Sequence, residues 1–114
     1  RRLTPRSTGQ AKGFETMASS LKSAIFLIES RIADAAAGNA DAYYDLGLAY
    51  SAGTDGVDID LVQAHKWFNL AALAGDERGH GSRAEIAWDM TAREIAEAQR
   101  AARAWLGATM RRAA

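Results

Sequence analysis

In a chain with no cysteine and only two histidines, chemistry must come from His65, His80, the carboxylates and the hydroxyls. Disulfides, thiolate nucleophiles and Cys-ligated zinc are excluded at once. Asp76 and His80 stand four residues apart and would share a helix face. Two ligands fall short of a zinc site, and a solvated polar face accounts for the pair. Asp55, Asp58 and Asp60 crowd one loop, but their spacing departs from the alternating carboxylates and terminal glutamate of a calcium loop. Asp60 reads as a helix cap and the other two as turn residues. No Gly-x-Ser-x-Gly elbow, phosphate-binding glycine loop or His-Glu-x-x-His motif occurs. The expectation is a chain with no catalytic residue, no metal and no cofactor. Trp67, Trp88 and Trp105 fall within helical patterns and are expected to fill a core rather than to hold a cofactor.

The elements that would position these groups follow from composition and periodicity. A length of 114 residues fits one domain around a single core. With 14 basic and 14 acidic residues the molecule has no net field to attract nucleic acid. Abundant alanine and a single proline, Pro5, favour helix, because alanine loses no side-chain entropy on entering one. No apolar run approaches the roughly 20 residues needed to cross a bilayer, so a cytoplasmic or periplasmic location is expected for this chain. It opens at Arg1 without a methionine, as a fragment or a processed product would.

Residues 1–12 carry Arg1, Arg2, Arg6 and Lys12 without an acid and read as a flexible basic arm. Such an arm is either a disordered tail or a segment ordered by an acidic partner or membrane surface. A first helix is expected from about Phe14 to Ala36. Phe14, Met17, Leu21, Ala24, Ile25, Ile28, Ile32 and Ala35 recur at three- and four-residue steps and should face a core. Phe26 and Leu27 lie off that stripe. They are either ordinary exposed or arm-covered residues, or a second packing face for a partner.

Gly38-Asn39 ends this helix, and a second is expected at 40–52 with Ala42, Leu46, Ala49 and Tyr50 on one face. Gly47 inside it costs about 1 kcal/mol relative to alanine, which makes sense if another helix backbone approaches there. A third helix at about 61–74 is capped by Asp60, with Gln63 placed to complete a capping box. Ala64, Trp67, Phe68, Ala71 and Ala72 form its buried side, and Gly75 ends it. A fourth helix at about 76–90 should turn Ala84, Ala87 and Trp88 inward, with Gly79 and Gly81 weakening its first turns. Thr91 and Glu94 start a last helix as a capping box, with Met90 and Ile95 as a hydrophobic staple. That helix presents Ile95, Ala98, Ala102, Trp105, Leu106 and Thr109 along one side. Arg100, Arg103, Arg111 and Arg112 enrich its later turns, where cations complement the helix dipole.

Gly38-Asn39 and Gly75-Asp76 recur at a 37-residue interval, each after an alanine-rich helix end. An interval of this size signals stacked helical hairpins. In that register Leu46 matches Arg83, so the second copy decays toward a solvent-facing cap.

The stretch Ala42 to Asp76 resembles a Sel1-like repeat, a relative of the tetratricopeptide hairpins. The resemblance rests on Ala42, Leu46, Gly47, Tyr50, Gly53, Gly56, Val57, Asp60, Ala64, Trp67, Phe68, Ala71, Ala72 and Gly75. One extra residue between Gly53 and Gly56 lengthens the turn. About a third of the chain carries the match. It implies an all-α fold, a short right-handed α-solenoid of antiparallel helical hairpins with about five helices. Residues 13–38 would be a half repeat, 40–75 the full repeat and 76–112 a capping hairpin. It also implies a non-catalytic scaffold, an adaptor or accessory subunit that binds protein partners. The contacts are expected from Phe26, Leu27, Tyr43, Tyr44, Lys66 and Asn69, outside the intra-repeat stripe, and from Arg1, Arg2 and Arg6. The rival readings are a membrane-peripheral factor held by the basic arm and a small enzyme; cysteine-rich relatives have been linked to activity, but their paired cysteines are absent here.

Overall fold

The computed structural model describes the backbone of residues 3–113 and the side chains of residues 20–112. Five helices follow one another: α1 (Leu3–Ala36), α2 (Ala40–Ala52), α3 (Leu61–Leu73), α4 (Arg78–Ala87) and α5 (Ala92–Ala113). No strand occurs among the described residues. None of these helices is long and apolar enough to cross a membrane. α3 is the hub, packing against α2, α4 and α5, while α1 packs on α2.

α1 begins at Leu3 instead of near Phe14, so the stretch expected as an arm is helical from its third residue. Pro5 fits because it lies in the first turn, where its missing N–H would have no intrahelical partner. Arg1 and Arg2 lie outside the described residues, as do the side chains of Arg6, Phe14 and Met17. A helix of 34 residues is about 51 Å long, which only the 61 Å dimension of the molecule can accommodate.

The expected stripe on α1 is only half covered. Ile28 and Ala35 are buried and Ile32 packs against the core, but Leu21 is 59% exposed and Ile25 57%. The α2–α3 loop reaches α1 at Ala24, where a Cβ added to Gly56 would stand 2.7 Å from the alanine methyl. Arg31 and Asp55 pair nearby and tie the same loop to the helix. Leu21 lies one turn before this anchor and Ile25 beside it, and neither is covered.

The 37-residue interval reappears as matching hydrogen bonds. Gly38 N–H donates to the Ala35 carbonyl at 2.9 Å and Asn39 N–H to Asp34 at 3.1 Å. Gly75 N–H donates to Ala72 at 3.1 Å and Asp76 N–H to Ala71 at 2.9 Å. Both glycines take the left-handed backbone that favours them, with φ of 93° and 103°. Asn39 and Asp76 then use the same oxygen in the same way. Asn39 Oδ1 accepts from the Asp41 amide at 3.0 Å, and Asp76 Oδ1 from the Arg78 amide at 3.1 Å.

Caps at the other helices are as local chemistry dictates, with one change. Asp60 Oδ1 accepts from the Gln63 amide at 3.1 Å. The expected return bond from Gln63 gives way to a longer-range one, because the Asp60 N–H donates to the Tyr50 carbonyl at 2.9 Å. Thr91 and Glu94 form the full reciprocal box, at 3.1 Å and 2.8 Å.

The core runs through Leu46, Ala64, Trp67, Phe68, Leu70 and Ala71, joined by Ala98 and Ala102 of α5. Burying a Leu or Phe of this kind contributes about 1.5–3 kcal/mol, so the hub helix carries much of the stability. Gly47 makes room for the Phe68 ring, which a Cβ would approach to 2.4 Å. A side chain, not the expected backbone, is what it accommodates. Close backbone contact occurs instead at Gly79, where a Cβ would stand 2.5 Å from the Phe68 carbonyl oxygen and 2.8 Å from the Ala72 nitrogen.

That contact sets the rotation of α4 and overturns the expected inward face. Gly79 is buried, with Ser82, Arg83 and Ile86 half-buried on its side. At about 100° per residue, Ala84 and Trp88 then point away from α3. Ala84 is exposed, Ala87 half-buried, and Trp88 is 89% exposed rather than core filler.

Candidate functional site

Among the described residues an open cleft of about 380 Å³ lies between α2 and α4. Tyr44, Leu48 and Ser51 supply one wall, Ser82, Glu85 and Ile86 the other, and Phe68 of α3 the floor. Each wall is one helical face, since residues three, four and seven apart lie above one another. α2 and α4 are bridged on one side of the cleft. The Tyr44 hydroxyl and Ser82 Oγ share a hydrogen bond of 3.2 Å, and Arg78 reaches Asp41 at 3.2 Å.

Electrostatics differ between the two parts of α4. The Arg78 guanidinium lies 4.2 Å from the centre of the Tyr44 ring and is held by Asp76 at 2.7 Å. Those bonds keep the Asp76 carboxyl below its usual range and the Arg78 pKa above its own. Glu85, two turns later, takes part in no ion pair among the described residues. Ser51 Oγ donates to the Leu48 carbonyl at 3.0 Å, leaving its lone pairs for the cleft.

The residues expected as partner contacts do not converge on one surface. Tyr44 lines the cleft, packed at 5.4 Å on Phe68. Tyr43 is 5% exposed and belongs to the core, which corrects its reading as a contact. Its ring stacks on Trp67, and its hydroxyl accepts from Trp105 Nε1. Successive helix positions differ by about 100°, so Tyr43 and Tyr44 cannot share a face. Lys66 Nζ stands 4.3 Å from the Trp67 ring centre and 5.4 Å from that of Trp105, and burial lowers its pKa. Asn69 Oδ1 accepts from Arg83 Nη1 at 2.5 Å and so helps hold α4 on α3. Phe26 is 73% exposed and Leu27 is also exposed, on the part of α1 where Leu21 and Ile25 are uncovered. Arg1, Arg2 and the Arg6 side chain lie outside the described residues.

The histidines take opposite positions. His80 is exposed beside Arg83. His65 is 4% exposed, and its Nδ1 has no hydrogen-bond partner in the protein. Burial, then the Arg83 charge, lower its pKa, so it is neutral at pH 7. Among the described residues no three His, Asp or Glu side chains gather as a metal-ion shell.

Leu48, Ser51, Ser82, Glu85 and Ile86 had no sequence-based expectation attached to them. The available signal was Leu48, an apolar residue off the Ala42–Leu46–Ala49–Tyr50 stripe. Comparison with protein-family models, curated proteins and solved structures returned no match, so the functional reading rests on these residues.

Proposed function

We propose that this chain is a non-catalytic protein-interaction module, an adaptor or accessory subunit, built as a Sel1-like repeat whose flanking helices act as caps in a short α-solenoid. The observation that carries the reading is the cleft between α2 and α4, apolar at Leu48, Phe68 and Ile86 and polar at its rim. A concave site with an apolar floor and few polar groups is what a docking segment needs. The matching hydrogen bonds at Gly38-Asn39 and Gly75-Asp76 support the repeat architecture. The uncovered side chains of α1 favour a chain held in a larger assembly.

A photoreactive phenylalanine analogue at Leu48, compared with one at exposed Arg100 on α5, tests the reading in cells. Adducts to a defined partner should form from position 48 and not from 100. With that partner purified, Leu48→Asp should weaken binding at least roughly tenfold, as burying an unpaired carboxylate in an interface would. Equal adducts from both positions, or binding indifferent to Leu48→Asp, would count against the groove.

A further inference from the structure

We infer that the α2–α4 cleft receives a lysine side chain from the partner protein. This rests on the reading of the cleft as a docking surface and names what fills it. Glu85 is the only charged side chain among the described lining residues, and it has no ion-pair partner among them. Its carboxylate can only accept hydrogen bonds. Ser51 Oγ spends its proton on the Leu48 carbonyl and also faces the cleft as an acceptor. Of the Tyr44 and Ser82 hydroxyls one donates to the other, so the pair keeps one free O–H and further lone pairs. The rim is therefore rich in acceptors and carries negative charge.

The walls complete the match. Leu48, Phe68 and Ile86 are apolar and suit a methylene stem, so the complementary group is an aliphatic chain ending in a cation. Three divergent donors of an ammonium fit acceptors spread over two helices better than the flat fork of a guanidinium, which suits one carboxylate. Trp88, the most exposed large apolar residue among those described, follows Glu85 by three positions and still has helical backbone angles. Its indole is therefore a near neighbour of Glu85 and offers a face to the same cation. Two cations of α4 are already engaged elsewhere: Arg78, about 10 Å away along the helix, by Asp76 and Asp41, and Arg83 by Asn69.

The test uses the whole chain, labelled with nitrogen-15, titrated with four blocked alanine pentapeptides carrying lysine, norleucine, arginine or glutamate at the centre. The lysine peptide should shift the amides of Ser51, Ser82 and Glu85 saturably, with roughly tenfold higher affinity than norleucine, the size expected of a charge-assisted hydrogen bond. Glu85→Gln should remove most of that preference by weakening the lysine peptide, and Glu85→Lys should reverse it toward glutamate. Both changes fall on an exposed helix position, and a thermal melt of each variant checks the fold. Norleucine binding as well as lysine, an arginine peptide binding better, or no shift with the lysine peptide would each overturn the inference. Those outcomes leave the docking reading standing if the position-48 adducts persist. Loss of the adducts themselves would remove that reading instead.

Discussion

Trp105 Nε1 donates to the Tyr43 hydroxyl at 3.0 Å across 62 residues of sequence, joining the last helix to the second. The two rings meet edge to face at 6.4 Å, and Trp67 packs edge-on to Trp105 at 4.9 Å. Tyr43→Phe keeps the ring and removes the acceptor. The indole N–H then has no partner in a half-buried site, and unfolding should cost about 1–3 kcal/mol less. Urea denaturation followed by tryptophan fluorescence measures it, and no change in midpoint would show that solvent replaces the bond.

Gly79 and Gly81 should respond to alanine with opposite signs. At Gly79 the new methyl meets the backbone of α3, which cannot yield, so a loss of about 1–3 kcal/mol is expected. At Gly81 nothing lies within 4 Å, and the gain in helix propensity should stabilise by roughly 0.5–1 kcal/mol. Thermal melts followed by circular dichroism compare the two.

Acid should act first through His65. Its folded pKa lies below the ordinary 6.5 because burial, and then Arg83, disfavour the charged ring. The unfolded chain binds more protons in that window, so stability is complete above about pH 6.5 and falls as pH drops below it. Asp76 acts separately: its pKa is lowered from 3.8, chiefly by its bond to the Arg78 side chain, so its contribution disappears only in stronger acid. His65→Leu should flatten the stability profile between pH 7 and 5. A profile unchanged from the parent would rule out His65 as the group.

The α1 stripe offers a contrast within one helix. Ile28 is buried, and Ile28→Ala should destabilise by about 2–5 kcal/mol. Ile25, on the same stripe but more than half exposed, should change stability by no more than about 0.5 kcal/mol when made alanine. Equal losses at both positions in chemical denaturation would mean that Ile25 is covered in solution.

Much of the fold is legible in the amino-acid sequence. The Gly38-Asn39 and Gly75 stops, the Asp60 cap, the Thr91–Glu94 box and the buried Ala64–Trp67–Phe68–Ala71 face are written in local spacing. Capping and helical periodicity are short-range effects, complete within a turn or two. The cleft was far less legible. Tyr44 was singled out, but only packing puts it beside Ser82 and Glu85, 38 and 41 positions later.

The misreadings of the α1 stripe and of Trp88 share one cause. Periodicity says that a helix has an apolar side, but it does not say which neighbour is long enough or close enough to cover it. Leu21 and Ile25 carry the same pattern as Ile28 and differ only in where α2 and its loop end. Trp88 looked like core until Gly79 brought the other side of α4 onto α3. Element type, caps and the interval between hairpins follow from the amino acids, because each depends on neighbours within a few residues. Helix rotation, exposure and the place where two walls leave room for a ligand depend on contacts distant in sequence, and these were settled by the packing around α3.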